Sequence, residues 1–210
     1  MPGGEHMVKV KICGITNTDD AEAAVSAGAD ALGFVFFRES PRFISPKDAA
    51  AIIRTLPSFI PAVGVFVDET PQSIEEMAAV SGIDLVQLHG DEPPEICMRS
   101  RRVIKVIRVK SLDSLSPLNN YKDIVSAFLL DTYTPDALGG TGRIFNWDIA
   151  VEAKRFGRIL LAGGLTPDNI AEAVAHVRPY AADVSSGVEL QKGKKDHTKI
   201  RLFIERAKSA

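Results

Sequence analysis

Leu160-Leu-Ala-Gly-Gly-Leu165 and Asp183-Val-Ser-Ser-Gly-Val-Glu189 each run from apolar residues into a glycine turn. Such a pair is typical of the last two strand–loop units of an eight-stranded α/β barrel, whose loops after strands 7 and 8 commonly bind phosphate. Because glycine has no Cβ, a ligand can reach the main-chain N–H groups at Gly163, Gly164 and Gly187. The pair predicts a phosphate ester as substrate, and two tight turns without a ligand are the alternative.

Apolar strand-like runs alternate with amphipathic helical stretches along the whole chain. Helix starts are indicated where a capping residue precedes proline, as at Ser45-Pro46 and Thr70-Pro71, and Gly82 indicates a helix end. Eight such units favour an α/β fold, a single-domain (β/α)8 barrel of the TIM type, over an open doubly wound sheet, which more often carries a GxGxxG turn. The predicted strands are Val8–Cys13, Ala31–Phe36, Ala62–Val67, Leu85–His89, Val103–Val109, Ala127–Asp131, Ile159–Ala162 and Ala182–Ser185. Thr18 and Asp19 can cap a helix that runs to Ala27, with Gly28 as its stop, and Asn146 can cap another. Further helices are expected to begin at Glu92-Pro93, Thr166-Pro167 and Lys195.

Charge and composition exclude several classes of protein. The chain has 210 residues with 25 Lys and Arg against 27 Asp and Glu, so there is no electrostatic basis for binding nucleic acid or an anionic membrane. It shows no membrane-length apolar run and no signal-peptide pattern. Cys13 and Cys97 cannot form a disulfide framework, which favours a reduced, cytoplasmic setting. Residues 1–7 are predicted to be a polar lead and residues 8–210 one catalytic domain, as a monomer or a homodimer.

Residues capable of acid–base chemistry stand at the ends of predicted strands, where barrels of this type carry their catalytic groups. Strand 1 ends in Cys13, strand 4 in His89 and strand 6 in Asp131, while strand 8 carries Asp183 and Ser185. A thiolate can take a proton from carbon, and a carboxylic acid can protonate an oxygen. The alternatives are a packing cysteine, a turn aspartate and a strand-end histidine without a role in chemistry.

Further polar residues are expected inside the barrel. Strand periodicity indicates that Lys11, Gln87, Lys105 and Asp183 share its interior, and Lys11 could supply the positive potential that a thiolate needs. Because buried charges need partners, a purely structural polar network is the alternative for the two lysines. The loop after strand 2 adds Arg42.

Metal and nucleotide chemistry find little support in the sequence. The 4 histidines show no ligand spacing, and there is no GxxxxGK[ST] loop. Gly139-Gly-Thr-Gly142 follows strand 6, where a barrel would carry an active-site lid, although an ordinary surface loop fits this segment equally well.

Short motifs, in order between about Val8 and Lys208, resemble those of the phosphoribosylanthranilate isomerase family. They are Lys11-Ile-Cys-Gly-Ile-Thr16, Ala31-Leu-Gly-Phe-Val-Phe36, Ser40-Pro-Arg-Phe-Ile-Ser-Pro46, Val86-Gln-Leu-His-Gly-Asp91, Leu129-Leu-Asp-Thr132, Gly139-Gly-Thr-Gly142, Ala162-Gly-Gly-Leu165 and Asp183-Val-Ser-Ser-Gly-Val-Glu189. Each motif is moderately specific, and the ordered set is highly specific.

The resemblance implies an Amadori rearrangement in tryptophan biosynthesis, from N-(5-phosphoribosyl)anthranilate to 1-(2-carboxyphenylamino)-1-deoxyribulose 5-phosphate, without a cofactor or metal. It makes Cys13 the general base, Asp131 the general acid and Arg42 the partner of the anthranilate carboxylate. The phosphate would be held by the main chain of Gly163, Gly164, Ser186 and Gly187, and the further substrate-binding residues would be His89, Asp183 and Ser185.

Three other functions stay open at this point. One is a related isomerase acting on a histidine-pathway aminoaldose with two phosphates, although a second glycine-rich phosphate site is not obvious. Another is a lyase that forms a Schiff base through Lys105 or Lys11. The third is a barrel that binds a phosphosugar without catalysis.

Overall fold

The computed structural model describes residues 7–99, 102–133 and 145–210. Eight parallel strands form a closed barrel in sequence order, with β8 paired back to β1, which confirms the predicted (β/α)8 fold. The strands are β1 (Lys9–Cys13), β2 (Ala31–Val35), β3 (Ala62–Phe66), β4 (Leu85–Leu88), β5 (Val103–Val109), β6 (Ala127–Thr132), β7 (Ile159–Leu161) and β8 (Ala181–Val184). The helices are α1 (Thr18–Ser26), α2 (Pro46–Ile53), α3 (Pro71–Ser81), α4 (Pro94–Arg99), α5 (Asp148–Ala153), α6 (Ile170–Val177) and α7 (His197–Lys208). Residues 1–6 of the predicted lead and the Gly139–Gly142 segment lie outside the described residues.

Alternate residues of each strand enter two different hydrophobic cores. The barrel interior is lined mainly by small and β-branched side chains, such as Val63, Ala127 and Ala181. The layer between strands and helices takes the large side chains, including Phe34 and Phe128. This division follows from geometry, because an eight-stranded barrel leaves room inside for only a few layers of side chains.

Several predicted helix boundaries are confirmed by their capping contacts. The Ser45 hydroxyl accepts a hydrogen bond from the N–H of Asp48 at 3.1 Å, and the Thr70 hydroxyl accepts one from Ser73 at 3.2 Å. Gly82 ends α3 in the left-handed conformation, with φ of 77°.

Other predicted helix starts are shifted. Asn17 caps α1, because its Oδ1 accepts from the N–H of Asp20 at 2.8 Å, so the predicted cap at Thr18 is wrong by one residue. Thr166-Pro167 opens a turn, and α6 begins only at Ile170. The side chain of Asn169 stabilises this turn by accepting from the N–H of Thr166 at 2.8 Å and donating to the carbonyl of Gly164 at 3.0 Å.

Two connections differ from the simple alternation. A 3-10 segment, Leu112–Asn120, joins β5 to β6 in place of an α-helix. A short hairpin, β9 (Glu189–Gln191) with β10 (Lys194–Lys195), precedes α7, so the last helix does not begin at Lys195 as predicted. None of the helices in the described ranges combines the length and hydrophobicity needed to cross a bilayer.

Candidate active site

The ends of the parallel strands bring the predicted acid–base residues to one mouth of the barrel. Cys13 is the last residue of β1, and its side chain packs with Val35 and Val65 inside the barrel. Asp131 lies near the end of β6, and its neighbour of the same face, Leu129, belongs to the barrel interior. Both side chains therefore project inward at the carboxyl ends of their strands.

Below the Cys13 thiol, Lys11 and Asp183 form a buried ion pair with 2.7 Å between Nζ and Oδ1. Burial opposes the charge on Lys11, but the attractions of Asp183 and Cys13 outweigh it and raise the lysine pKa to about 12. Burial raises the pKa of the Cys13 thiol above its ordinary value, and Lys11 offsets this only in part. Lys11 does supply the positive potential that the sequence suggested, but its effect on the Cys13 pKa is smaller than that of burial.

The absence of a side chain at Gly33 makes room for Cys13. Gly33 pairs with Cys13 across the β1–β2 ladder. A Cβ at Gly33 would lie 2.7 Å from the sulfur of Cys13 and 3.1 Å from Cε of Lys11. Gly33 lies within the Ala31–Phe36 motif, and its place opposite the cysteine follows from the register of β1 and β2.

On the other side of the mouth, His89 faces Asp131. Asp131 Oδ1 accepts a hydrogen bond from the N–H of Thr132 at 2.8 Å, and Oδ2 lies 3.4 Å from Nε2 of His89. Three buried polar atoms at these strand ends, His89 Nε2, Thr132 Oγ1 and Ser185 Oγ, have no hydrogen-bond partner within the described parts of the chain. Such atoms are available to a polar ligand at the mouth.

Arg42 reaches this mouth from the β2–α2 loop and is already paired. Its Nε and Nη2 each donate to one oxygen of Glu189 at 2.8 Å. Lys195 donates to the same carboxylate at 3.0 Å. The sequence indicated Arg42 but not its partners Glu189 and Lys195, since the Arg42–Glu189 ion pair joins residues that are 147 positions apart.

The two glycine turns pack closely against neighbouring strand ends and against each other. Gly163 and Gly164 have φ of 80° and 67°, which glycine adopts readily. A Cβ at Gly163 would collide with Thr132 and lie 2.9 Å from Oδ1 of Asp131, and a Cβ at Gly187 would collide with the carbonyl oxygen of Leu165. Part of the space left by these glycines is therefore filled by protein atoms.

Main-chain donors stay available in the turn after β7. Within the described ranges, the N–H groups of Gly163 and Gly164 make no hydrogen bond to the protein. The side chain of Ser185 adds an unpartnered hydroxyl from the end of β8. This combination of donors suits an anion.

Lys105 does not lie in the barrel interior as predicted. Its neighbours Ile104 and Val106 belong to the interior, so alternation turns Lys105 outward. There its Nζ donates to Glu92 at 2.6 Å and to the carbonyl oxygen of Gly90 at 2.7 Å. The structural network is thus the correct interpretation for Lys105, and it holds the loop that follows His89.

No group of three or more His, Cys, Asp or Glu side chains in the described part of the chain is arranged to hold a metal ion. A closed barrel with ionisable side chains gathered at the carboxyl ends of its strands is the architecture of the β/α-barrel enzymes. Membership of this class does not by itself identify the substrate.

Comparison with known proteins narrows the class to a family. A model of the N-(5'-phosphoribosyl)anthranilate (PRA) isomerase family matches residues 10–206. The N-(5'-phosphoribosyl)anthranilate isomerase of Geobacter sulfurreducens is 59% identical over 203 residues, which cover 96% of this chain and 99% of that protein. The chain therefore belongs to the PRA isomerase family and is an isomerase.

Solved structures of the family have the same fold. The phosphoribosyl anthranilate isomerase of Thermotoga maritima superposes with a TM-score of 0.91 at 46% identity, covering 97% of this chain and 100% of that one. A phosphoribosyl anthranilate isomerase in complex with reduced 1-(o-carboxyphenylamino)-1-deoxyribulose 5-phosphate gives 0.88 at 43% identity, with the same coverage. A dimeric phosphoribosylanthranilate isomerase from Thermotoga maritima, solved as mutually generated monomers, gives 0.87 at 43% identity, again with the same coverage.

Proposed function

We propose that this isomerase of tryptophan biosynthesis performs the Amadori rearrangement of N-(5-phosphoribosyl)anthranilate, with Cys13 as general base and Asp131 as general acid. The observation that carries the proposal is the projection of a thiol and a carboxyl group into the same barrel mouth. Family membership and the solved complex of a relative with a reduced product support the choice of substrate.

The reaction needs one proton donor and one proton acceptor. Asp131 gives a proton to the ribose ring oxygen as the C1–O bond breaks, and the anilino nitrogen shares its lone pair with C1 to form an iminium ion. Cys13 then removes the proton from C2, whose electrons form a C1–C2 double bond and neutralise the nitrogen. The resulting enolamine tautomerises to the ketone, so the atoms of the substrate are conserved.

The protonation state of Cys13 fits this order of events. Burial raises the pKa of the thiol, so the free protein holds it protonated at neutral pH. The iminium ion forms beside the sulfur and places a positive charge within the buried mouth. That charge favours loss of the thiol proton to solvent at the mouth, which leaves the thiolate at the stage where the base is needed.

The anionic ends of the substrate are held by different elements. The phosphate is bound by main-chain N–H groups of the turns at Gly163-Gly164 and Ser186-Gly187, with the Ser185 hydroxyl nearby. Arg42 binds the anthranilate carboxylate through the N–H groups that Glu189 does not use. His89 and Asp183 line the pocket, His89 beside Asp131 and Asp183 beside Lys11.

A turnover assay with N-(5-phosphoribosyl)anthranilate tests the proposal. Cys13→Ala and Asp131→Asn should each lower kcat by about 10²–10⁴-fold, the usual contribution of a general acid or base. Cys97→Ala is the matched control for the first, because Cys97 is also buried but lies in α4. Asp148→Asn is the control for the second, because Asp148 is an exposed aspartate in α5. Near-normal kcat in either mouth variant would rule out that residue's role.

The Schiff-base lyase is disfavoured by the position of both lysines. Lys105 lies outside the barrel interior in an ion pair with Glu92. Lys11 holds its proton firmly, with a pKa raised to about 12, so it lacks the free amine that attacks a carbonyl. Borohydride treatment with a phosphosugar should therefore leave no covalent adduct on either lysine.

Assays of turnover and binding also distinguish the proposed function from the two remaining alternatives, the isomerase with a two-phosphate substrate and the non-catalytic barrel. Turnover of the histidine-pathway aminoaldose alone would support the related isomerase with two phosphates. Binding without product, followed by the fluorescence of the anthranilate group, would support a non-catalytic barrel.

We also propose a cytoplasmic location and a monomeric or homodimeric state. Cys13 and Cys97 are both free and buried, which suits a reducing compartment. Light scattering in solution decides between monomer and dimer.

A further inference from the structure

We propose that Glu189 and Lys195 are positioning residues, which orient the Arg42 guanidinium and keep its surroundings positively charged for the substrate carboxylate. This inference rests on the proposed function, because it assumes that Arg42 binds that carboxylate. Both residues belong to the β9–β10 hairpin, an element outside the eight repeated units.

The geometry of the Arg42–Glu189 pair fixes the guanidinium plane. Nε donates to Oε1 and Nη2 to Oε2, both at 2.8 Å, and the two side chains are only 12% and 5% exposed. An arginine carries five N–H donors, so this two-point contact leaves three free, on Nη1 and Nη2. A second carboxylate can bind only along that remaining edge.

The stem of Arg42 is held as well. It passes over Gly14, the residue after Cys13, where a Cβ would lie 2.7 Å from Cδ of the arginine. The Arg42 side chain is therefore held at its stem by close packing over Gly14 and at its guanidinium by Glu189. Such two-sided contact limits the rotamer freedom that a long side chain would otherwise lose on binding.

Lys195 adds a positive charge to the Arg42–Glu189 pair. Paired with Glu189 alone, Arg42 would form a neutral unit with little attraction for an anion. The Lys195 side chain is fully buried, and its Nζ contacts Glu189 at 3.0 Å and the carbonyl oxygen of Ser185 at 3.1 Å. Two cations with one carboxylate leave one positive charge at the mouth, which suits an anionic substrate.

Although burial opposes its charge, the pKa of Arg42 is raised by its contact with Glu189, in agreement with this count, whereas burial lowers the pKa of Lys195 and the attraction of Glu189 offsets this only in part. Burial opposes the charge on Glu189, yet the contacts of Arg42 and Lys195 outweigh it and lower the carboxyl pKa. The hairpin itself is anchored to the body of the barrel, because the N–H of Lys195 donates to the buried carboxylate of Asp20 at 2.9 Å. Glu189 and Lys195 are therefore fixed relative to the first strand–helix unit.

The experiment compares Glu189→Gln and Lys195→Met with Lys194→Met, a matched control for an exposed lysine in the same hairpin. Glu189→Gln adds positive charge but loses the charged two-point contact. If Glu189 acts by orienting the Arg42 guanidinium, KM of Glu189→Gln for N-(5-phosphoribosyl)anthranilate should rise about tenfold or more, with kcat changed less than about threefold. Lys195→Met should also raise KM, and Lys194→Met should not.

A substrate analogue without the carboxylate, N-(5-phosphoribosyl)aniline, separates this role from general loss of structure. Its KM should be nearly the same in the parent protein and in Glu189→Gln, because the affected contact is missing from the ligand. An unchanged or lower KM for the natural substrate, or an equal penalty for the analogue, would overturn the inference.

Two further variants separate failure of this inference from failure of the proposed function. Arg42→Met should raise KM selectively for the carboxylate substrate, and no effect would reject the binding role of Arg42 itself. If Glu189→Gln does not fold, Glu189→Asp keeps the charge while shortening the reach. That variant should then show the same selective increase of KM, and a parent-like KM would count against positioning.

Discussion

Lys11 and Asp183 join the first and last strands of the barrel through a buried ion pair at the register position where β1 meets β8. The pair lies below the Cys13 thiol, so the closure of the barrel and the electrostatics of the mouth depend on the same two side chains.

Lys11→Met should destabilise the protein strongly. Removing one partner of a buried ion pair leaves an uncompensated charge and costs about 3–5 kcal/mol in free energy of unfolding. Lys9→Met is the control, because Lys9 lies on the same strand but pairs with Asp30 at the surface, where the two side chains are 51% and 21% exposed and a pair contributes about 0–1 kcal/mol. Urea denaturation measures both, and equal losses would contradict the distinction.

Gly187→Ala should destabilise the protein, because the added Cβ would collide with the carbonyl oxygen of Leu165. We expect a loss of about 1–3 kcal/mol together with weaker substrate binding, because the turns after β7 and β8 must move apart. Gly82→Ala is a useful comparison: its φ of 77° is strained, but nothing lies within 4 Å of the added Cβ. That variant should lose about 1–2 kcal/mol without any change in KM.

Gly33→Ala should lower kcat by displacing the Cys13 sulfur, which would lie 2.7 Å from the new methyl group. Urea unfolding of Gly33→Ala, Cys13→Ala and the double variant measures their coupling. Because Cys13→Ala removes the sulfur, part of the stability lost in Gly33→Ala should be recovered in the double variant. Strict additivity would show that the two residues do not interfere.

The pH dependence of activity should reflect the buried thiol. Because burial raises the pKa of Cys13, kcat/KM should still be rising at pH values above the ordinary thiol pKa of about 8.5. The alkylation rate of Cys13 should follow the same curve. We suggest measuring it with iodoacetamide in a Cys97→Ala background, since burial also raises the pKa of the Cys97 thiol. A plateau near neutral pH would contradict this expectation.

Stability should change in the opposite direction over the same range. A raised thiol pKa in the folded state means that the folded protein holds this proton more firmly than the unfolded chain. The contribution of Cys13 is therefore complete below the unfolded pKa and lost as pH rises through the folded one. Thermal melts should show this alkaline loss reduced in Cys13→Ala.

Local features of the chain predicted the elements of the fold well. The eight apolar runs coincide with the strands to within a residue or so at each end, because turn residues bound them on both sides. Ser45 and Thr70 cap their helices as expected, since each precedes a proline at the first helical position. At Asn17-Thr18 two capping residues are adjacent, and only the side-chain geometry selects the asparagine.

The ion pairs of the candidate site were harder to predict, because they join distant parts of the chain. Lys11 and Asp183 are 172 residues apart, and Arg42 and Glu189 are 147 apart. Lys105 shows a second difficulty, which is to decide which face of a strand points into the barrel. A shift of one residue along β5 exchanges the interior face for the outer one. Periodicity within one strand gives the alternation but not its phase relative to the other strands.

The amino-acid sequence alone determined the eight-unit barrel, the glycine turns and the residues at the strand ends, because these depend on local propensity and on the order of motifs. The tertiary structure decided which charges are paired, that Cys13 is held as a buried thiol, and that a hairpin near the C-terminus supports Arg42. These properties arise from desolvation and from contacts across the closed barrel, which exist only once strands far apart in sequence have come together.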